Sequence, residues 1–372
     1  MAEEISKEER EERKNQRRRG NKDQQEKAKT WLREWADALF FAVIAAIIIR
    51  TFFFEAYRIP TPSMEETLLT GDFLVVSKIN YGPRTPMVLG VPFTNLNFTA
   101  LTLPWSRIPG FEDIERNDIV VFNYPIDIAP IAAKTNYIKR SVGLPGDTLS
   151  IDDKEVFING NSAENFPGIQ KNHVVTVRER VRLSPAKVES VGGKLLRGES
   201  TNSYIINATK EEANTIAGWA EVDSVSLYVL PDSYDEYSRV RNTPTGRGFN
   251  FSKGFMNHDH MPPTVVPFKG QEVELTSENW HLYENIITRY ERNNVERQGD
   301  IFVINGDTTN TYTIQQDYYF MMGDNRDDSL DSRFWGFVPH DHVVGKAGMI
   351  YFSWDADRWL PRFGRLLNII HD

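Results

Sequence analysis

One long apolar run interrupts an otherwise polar N-terminal region. Residues 38–54 read Ala-Leu-Phe-Phe-Ala-Val-Ile-Ala-Ala-Ile-Ile-Ile-Arg-Thr-Phe-Phe-Phe, with Trp31, Trp35 and Tyr57 on their flanks. A membrane-spanning helix needs about 20 residues, with a range of roughly 17 to 25. Arg50 lies near the end of the run, where its side chain can reach the headgroups. The pattern predicts a single spanning helix. A buried core helix and an uncleaved signal sequence are the alternatives, although no small-residue cleavage site follows the run.

Beyond residue 57 the hydrophobic pattern is mostly that of strands. Short β-branched and aromatic runs, bounded by turn residues, predict strands at 72–80, 118–124, 174–183, 225–230, 301–305 and 343–354. Residues 148–160 read as a hairpin that turns at Asp152-Asp153-Lys154. Helices are predicted at 209–217 and 277–292, the second capped by Thr276 or Ser277.

Residues 83–115 have a different composition. They are rich in Pro, Leu, Phe and Trp, with few charges before Glu112. This composition indicates an extended apolar ribbon or loop. Exposed apolar patches mark contacts with membranes or partners, and burial against another part of the chain explains the pattern equally well.

The charges on the two sides of the apolar run predict its orientation. Lysine and arginine are frequent from Lys7 to Arg33, whereas only Arg58 occurs between the run and Lys78. Positive charge favours the cytoplasmic side, so the tail is predicted to be cytoplasmic and the rest extracytoplasmic. A nucleic-acid contact of the basic residues 17–19 is a minor alternative. The net charge of −9 argues against a nucleic-acid partner.

A serine and a lysine are the candidate catalytic residues. Ser63 follows Pro60-Thr61-Pro62, and Lys139 follows Tyr137-Ile138. A serine hydroxyl needs a base to accept its proton, and none of the seven histidines lies in a convincing catalytic setting. Lysine serves as a base where burial lowers its pKa. Each residue alone fits a turn serine or a solvent-facing strand lysine; the pair is more specific.

Other chemistry is poorly supported. His258-Asp259-His260 is a possible metal pair, but a surface turn is the favoured interpretation. There is no His-Glu-x-x-His motif, and residues 324–331 lack the glycine and final glutamate of a calcium loop. With no cysteine, the chain has no disulfide, thiolate nucleophile or cysteine-bound zinc. No metal or cofactor is therefore expected.

Four segments, in order behind the apolar run, resemble the conserved boxes of type I signal peptidases. Residues 59–68 (Ile-Pro-Thr-Pro-Ser-Met-Glu-Glu-Thr-Leu) are similar to the nucleophile box, and 71–78 to the second box. Residues 137–147 (Tyr-Ile-Lys-Arg-Ser-Val-Gly-Leu-Pro-Gly-Asp) are similar to the lysine box, and 323–339 to the last box. The resemblance covers roughly residues 35–150 and 315–355.

The resemblance implies roles for individual residues. Ser63 would be the nucleophile and Lys139 the general base, with the Thr61 hydroxyl and the Ser63 backbone N–H as the oxyanion hole. Ser329 would position the lysine amine, and Asp331 and Arg333 would form a supporting acid–base pair. The positions that correspond to the shallow substrate pockets are Ile59, Met64, Leu68, Tyr137 and Ile138.

Three positions depart from the common pattern of the family. Glu66 stands where many members have proline, Pro62 replaces a frequent glycine or serine, and Asn136 replaces a common aspartate. None of these changes removes a catalytic group. They bear on loop conformation and substrate preference.

The resemblance also implies the architecture, which is mainly β. A single transmembrane helix would precede a signal-peptidase-type β catalytic domain that carries an inserted α+β second domain. The expected parts are a charged cytoplasmic tail (1–37), the anchor (38–57), the first catalytic part (58–159), the inserted domain (160–315) and the second catalytic part with the C-terminal segment (316–372). No chemistry is assigned to the insertion.

The expected function is that of a membrane-bound serine endopeptidase. It would remove signal peptides from exported preproteins after an Ala-x-Ala-like site. Ser63 follows residue 54 by nine residues, so an extended chain keeps it within about 30 Å of the anchor. Expected partners are preproteins, the lipid bilayer of the inner (cytoplasmic) membrane and the nearby secretion translocon. The alternatives are a Ser/Lys protease dedicated to one exported substrate and a non-enzymatic membrane-anchored scaffold.

Overall fold

The computed structural model describes residues 31, 33–85, 88–90, 97–102, 106–163, 166–236, 251–255 and 257–370. By internal contacts the chain divides into two compact units, Met1–Phe53 and Phe54–Asp372. Most of the predicted cytoplasmic tail lies outside the described residues.

The first unit contains one long helix, α1, which spans Arg33–Phe53. Its 21 residues are long and apolar enough to cross a membrane, and none of its most apolar stretch is buried in the structure. Its last turn, Ile49–Phe53, is π-helical. The helix therefore ends before residues 54–57, which were predicted to belong to the anchor; these residues begin the first strand.

The second unit is mainly β, as predicted. Its strands are β1 Phe54–Arg58, β2 Asp72–Ser77, β3 Val88–Gly90, β4 Asn97–Thr102, β5 Ile119–Asn123, β6 Asn136–Gly143, β7 Thr148–Asp152, β8 Glu155–Ile158, β9 Asn161–Ser162, β10 Gln170–Val177, β11 Lys194–Ser200, β12 Ser203–Thr209, β13 Val222–Leu227, β14 Met261–Val265, β15 Glu272–Glu274, β16 Val295–Gln298, β17 Ile301–Ile304, β18 Asp307–Thr309, β19 Thr311–Thr313, β20 Tyr318–Met322, β21 Val338–Pro339, β22 Val343–Asp355, β23 Leu360–Pro361 and β24 Asn368–Ile369. Its α-helices are α2 Pro185–Glu189, α3 Lys210–Ala217, α4 Trp280–Glu284 and α5 Ser332–Trp335.

A large antiparallel sheet has the strand order β1-β2-β22-β5-β6-β20-β21, and β23 and β24 also pair with β22. Strand β6 lies between β5 and β20, with Val120 opposite Lys139 and Met322 opposite Arg140. Because β20 leads directly into residues 323–329, this topology brings the lysine strand beside the last of the four family-like boxes.

The predicted insertion has two structural parts. Strands β11-β12-β10-β13 form a separate sheet, which we call the inner sheet, and α2 and α3 pack with it over a core that includes Val175, Ile206 and Ile216. In contrast, residues from 251 onward share one core with β5, β7 and β20. The proposed boundaries of a second domain stay a prediction.

Most local predictions agree with the structure. The hairpin β7–β8 turns at Asp153 and Lys154, both in the left-handed region that such turns require. The strands predicted at 72–80, 118–124 and 343–354 correspond to β2, β5 and β22. In α3, Thr209 caps the helix through a reciprocal bond pair with Glu212.

Two predicted segments differ from the structure. The strand predicted at 174–183 is β10, which ends at Val177 because a turn with left-handed Arg180 follows and Pro185 then starts α2. The helix predicted at 277–292 consists of α4, which begins only at Trp280, and a π-helical stretch, Asn285–Tyr290. Of the two predicted caps, Thr276 exchanges reciprocal hydrogen bonds with Asn279, the residue before α4.

Only part of the predicted apolar ribbon at 83–115 is described. Strands β3 and β4 form a two-stranded antiparallel pair there, and Arg84 pairs with Arg107 in an isolated bridge. Residues 86–87, 91–96 and 103–105 lie outside the described residues. A membrane contact of the ribbon stays a prediction.

Candidate active site

The Ser63 hydroxyl and the Lys139 amine are in direct contact. Ser63 lies in the loop from Ile59 to Gly71, whose ends are joined by a bond from the Gly71 N–H to the Ile59 carbonyl (2.9 Å). Lys139 lies in the middle of β6. The Lys139 Nζ is 2.5 Å from the Ser63 Oγ, and only 3% and 7% of the two residues are exposed. The structure thus brings together two residues that are 76 positions apart in the chain.

Burial controls the protonation of this lysine. It lowers the pKa of Lys139 to about 8, although the charges of Asp331 and Asp324 act to raise it. Both carboxylates are themselves paired with arginines: Asp331 with Arg333, and Asp324 with Arg140. Since each carboxylate already has a partner, neither acts as a dedicated counter-ion for the amine. The amine is therefore neutral in about a tenth of the molecules at pH 7, far more than for an ordinary lysine.

The Asp324–Arg140 pair fixes the last box to the lysine strand. Arg140 Nε is 2.7 Å from Asp324 Oδ1, and Arg140 Nη2 is 2.8 Å from Oδ2. Thr67 donates its hydroxyl to Asp324 Oδ2 at 2.6 Å. Neighbouring side chains of a strand point to opposite faces, so Arg140 holds this contact while Lys139 faces Ser63. One buried network thus joins three segments. They are the loop from Ile59 to Gly71, which we call the nucleophile loop, strand β6 and residues 323–339, the last box.

Asp331 and Arg333 form the other buried pair. Arg333 donates to both carboxylate oxygens of Asp331, at 2.9 and 2.8 Å. Burial alone would raise the pKa of Asp331, but the charge and hydrogen bonds of Arg333 lower it. The Gly323 N–H also donates to Asp331, at 3.1 Å. This pair anchors both ends of the loop that follows β20.

Ser329 is buried beside Ser63 but does not bond to Lys139. A Cβ placed on Gly323 would lie 2.3 Å from the Ser329 Oγ and 2.5 Å from the Ser63 carbonyl oxygen. Within the described structure, no residue lies in a well-aligned hydrogen bond with the Ser329 hydroxyl, although the hydroxyl helps to lower the pKa of Asp331. Its predicted role in positioning the lysine amine stays a prediction.

The two predicted oxyanion donors are available. Thr61 is exposed, and neither its hydroxyl nor the Ser63 backbone N–H donates a hydrogen bond to any residue that the structure describes. The carbonyls on either side of that N–H are held: Ser63 O accepts from the Asn325 N–H (3.2 Å) and Pro62 O from the Asn325 Nδ2 (3.3 Å). The nucleophile loop thus presents free donors while its carbonyls are engaged.

The predicted pocket residues fall into two groups. Ile59, Met64 and Leu68 are buried in a compact core beneath the nucleophile loop, and Ile138 packs against that core. Tyr137 is half-buried and stacks on Tyr124, with ring centroids 4.6 Å apart. Only Tyr137 and Ile138 present partly exposed side chains, so the full set of pocket residues stays a prediction.

Sequence reasoning missed several residues of the site. Arg140, Thr67 and Asn325 became apparent only from the fold, because their partners are far away in sequence. Another buried lysine, Lys134, was also not predicted from the sequence. Burial lowers its pKa to about 8, but its Nζ contacts the Pro125 carbonyl and the His342 Nε2 and not a serine.

The histidine cluster suggested as a metal pair is part of an ion-pair network. His258 and Asp259 occupy a turn, but both side chains are largely buried, so the favoured surface-turn interpretation is only half correct. His258 contacts Glu236 at 2.5 Å, and Lys154 pairs with Asp259 (3.2 Å) and with Asp327 of the last box. The Lys154 ammonium thus engages the carboxylates that would otherwise be available to a metal.

Comparison with known proteins gives consistent matches. The family described as signal peptidase, peptidase S26, matches residues 32–235 and 261–354. Signal peptidase I of Aquifex aeolicus is 27% identical over 337 residues, covering 89% of both chains. Signal peptidase I of Buchnera aphidicola from Schizaphis graminum is 28% identical over 320 residues (86% of this chain, 74% of that one). The Pseudomonas aeruginosa protein of that name is 27% identical over 351 residues (91% and 79%).

Removal of Asp324 tests the buried network. Asp324→Ala leaves the Arg140 guanidinium buried without its carboxylate, so we expect a loss of about 3–5 kcal/mol in the free energy of unfolding. Asp328→Ala is the matched control in the same loop, because Asp328 is exposed; it should change stability by less than about 0.5 kcal/mol. Urea unfolding of the detergent-solubilised chain measures both, and equal stability of the two variants would contradict the network.

Replacement of Lys139 should stabilise the protein in a pH-dependent way. The folded-state pKa of about 8 lies below the ordinary 10.5, so between these pH values the unfolded chain binds more protons. The stability of the wild type therefore rises with pH across this window. Below pH 8 the burial of the amine costs about 3 kcal/mol.

Lys139→Met should therefore be more stable than the wild type below about pH 8. This advantage should shrink as the pH rises towards 10.5. Denaturation at a series of pH values measures it, with the exposed Lys269→Met as control. A stability difference that does not change with pH would show that the pKa of Lys139 is not lowered in the folded protein.

Proposed function

The chain belongs to the signal peptidase, peptidase S26, family, and from this membership we propose how its residues carry out the reaction. It is a signal peptidase with a mainly β fold and one N-terminal helix that is apolar and long enough to cross a membrane. We propose that it is a serine endopeptidase with a Ser/Lys dyad, in which Ser63 is the nucleophile and Lys139 the general base.

One observation carries this proposal: the 2.5 Å contact between the Ser63 Oγ and a lysine amine whose pKa burial lowers to about 8. In the first step, the neutral amine accepts the hydroxyl proton while Oγ attacks the carbonyl carbon of the scissile bond. The resulting ammonium then donates its proton to the leaving amine as the C–N bond breaks. A water molecule then gives a proton to the same lysine while its oxygen attacks the acyl carbon. The ester C–O bond breaks, and the ammonium returns the proton to the Ser63 Oγ.

The developing oxyanion needs donors that are free before the substrate arrives. We propose the Ser63 N–H and the Thr61 hydroxyl for this role, because neither donates to a described residue. Donors held in place before reaction stabilise the tetrahedral intermediate more than the planar carbonyl. Loss of one such donor typically reduces kcat by about 10²–10³-fold.

Family membership suggests the substrate class, and the shape of the site suggests which side chains fit. We propose that preproteins are cleaved after an Ala-x-Ala-like site, where small side chains precede the scissile bond. Met64 and Leu68 have no exposed surface, so the floor beneath Ser63 is already filled by the protein's own core. Shallow pockets, bordered by Tyr137 and Ile138, would then favour small residues.

We propose that the protein acts at the membrane surface, with its tail cytoplasmic and the catalytic unit extracytoplasmic, near the secretion translocon. Exposed apolar side chains in the C-terminal segment support a contact with the lipid bilayer. Trp359, Phe363 and Leu367 are 77%, 73% and 69% exposed. Exposed aromatics beside the exposed Arg358 suit the interface between headgroups and acyl chains.

Cleavage of a preprotein with an Ala-x-Ala site tests the proposal. The detergent-solubilised wild type should cleave at that site, and Ser63→Ala and Lys139→Ala should each lose at least about 10³-fold in kcat. Lys134→Ala is the matched control, since Lys134 is another buried lysine with a pKa lowered to about 8; it should retain activity. The kcat/KM of the wild type should rise about tenfold per pH unit below about 8 and level off above it.

The outcomes separate the alternatives. Equal cleavage by wild type, Ser63→Ala and Lys139→Ala would contradict the dyad. Cleavage of one exported protein and no other would support a dedicated processing protease. A folded wild type that cleaves no preprotein would favour a non-enzymatic scaffold.

A further inference from the structure

The inner sheet is joined to the nucleophile loop through buried asparagines. Asn207 in β12 is 5% exposed, and its Nδ2 donates to the Asn325 Oδ1 at 3.1 Å. Asn325, which is 3% exposed, donates its own Nδ2 to the Pro62 carbonyl (3.3 Å) and its backbone N–H to the Ser63 carbonyl (3.2 Å). Two side-chain hydrogen bonds thus lead from the inner sheet to the residue before the nucleophile.

Backbone N–H groups of the first residues of β10 fix this junction. The Gln170 N–H donates to the Asp324 carbonyl at 2.9 Å, and Gln170 forms a parallel bridge with Asn325. The Asn172 N–H donates to the Asp327 carboxylate at 2.7 Å. The last box therefore lies against the inner sheet over several residues, and Asn207 is placed where its amide meets Asn325.

The direction of the Asn325 amide matters. An amide has a donor end and an acceptor end, and Asn325 must turn its NH₂ towards Pro62 to bond that carbonyl. Asn207 approaches the other end with an NH₂ donor, which only the oxygen of Asn325 can accept. Asn207 thereby selects the one orientation of Asn325 that also holds the Pro62 carbonyl. Both amides are buried, so neither exchanges this bond for water without cost.

We propose that Asn207 is a positioning residue for the nucleophile, acting through Asn325 on the Pro62–Ser63 peptide. This proposal rests on the proposed role of Ser63. The contact would set the angle at which the Ser63 Oγ and its N–H face the scissile carbonyl. Through this contact the inner sheet would contribute to catalysis, a role that its sequence does not reveal.

Asn207→Asp is the informative substitution because it conserves shape and removes the donor. A carboxylate would face the Asn325 Oδ1 with an acceptor. To relieve that repulsion, Asn325 must flip its amide, which turns its oxygen towards the Pro62 carbonyl and breaks the second hydrogen bond. The expected effect is a misplaced nucleophile in a folded protein.

The sheet itself offers a matched control. The Asn207 Nδ2 also donates to the Asn172 Oδ1 at 3.1 Å. Asn172→Ala removes that bond, leaves the Asn172 backbone N–H on Asp327, and does not interrupt the path from Asn207 to Pro62. It therefore loses a comparable hydrogen bond within the same sheet without affecting the orientation of Asn325.

Preprotein cleavage by the detergent-solubilised full chain tests the proposal, with wild type, Asn207→Asp, Asn172→Ala and Ser63→Ala compared for kcat, KM and Tm. A displacement of about 1 Å at a reacting group costs up to about 10²-fold, so Asn207→Asp should lose about 10–100-fold in kcat. Its KM should stay within about twofold. Asn172→Ala should keep the wild-type kcat.

Two results would overturn the proposal. The first is a wild-type kcat for Asn207→Asp while Ser63→Ala is inactive. The second is a fall in kcat that Asn207→Asp and Asn172→Ala share in proportion to their losses in Tm, which would reduce Asn207 to a structural residue. Activity retained by Ser63→Ala would instead refute the proposed function itself.

Discussion

The structure depends on burying one amine without giving it a counter-ion of its own. Lys139 is 3% exposed and its Nζ contacts the Ser63 Oγ. Two carboxylates lie near enough to raise its pKa, yet each is engaged by an arginine. The arginines thus keep the carboxylates from fully stabilising the ammonium, and burial prevails. The same burial that lowers the pKa of the lysine costs folding stability, which the surrounding sheet must offset.

The surrounding fold serves to hold that arrangement. Strand β6 supplies Lys139 and Arg140 to opposite faces, and the loop after β20 supplies Asp324 and Asn325. Asp324 joins that loop to the lysine strand, while Asn325 joins it to the nucleophile loop. The inner sheet then supports the loop from outside through β10 and Asn207. The inner sheet is therefore in direct contact with the loop that follows β20.

The sequence predicted the elements of the fold that belong to local motifs. The apolar run, the hairpin that turns at Asp153 and the helix at 209–217 follow from local pattern, and the structure contains all three. Ser63 and Lys139 were identified through the boxes around them. The contact of Asn207 could not be predicted from the sequence, because its partner Asn325 is 118 positions away and no local pattern marks a buried amide. The early end of β10 at Val177 was also missed, since the turn at Arg180 carries no glycine to signal it.

The most direct test of this account is the pKa of the Lys139 amine. NMR titration of the detergent-solubilised chain with isotope-labelled lysine measures it, and the signal is assigned by its absence in Lys139→Met. The account predicts a titration midpoint at about 8, well below the ordinary 10.5. A midpoint near 10.5 would mean that the amine stays charged at neutral pH, which would contradict its role as the base for Ser63.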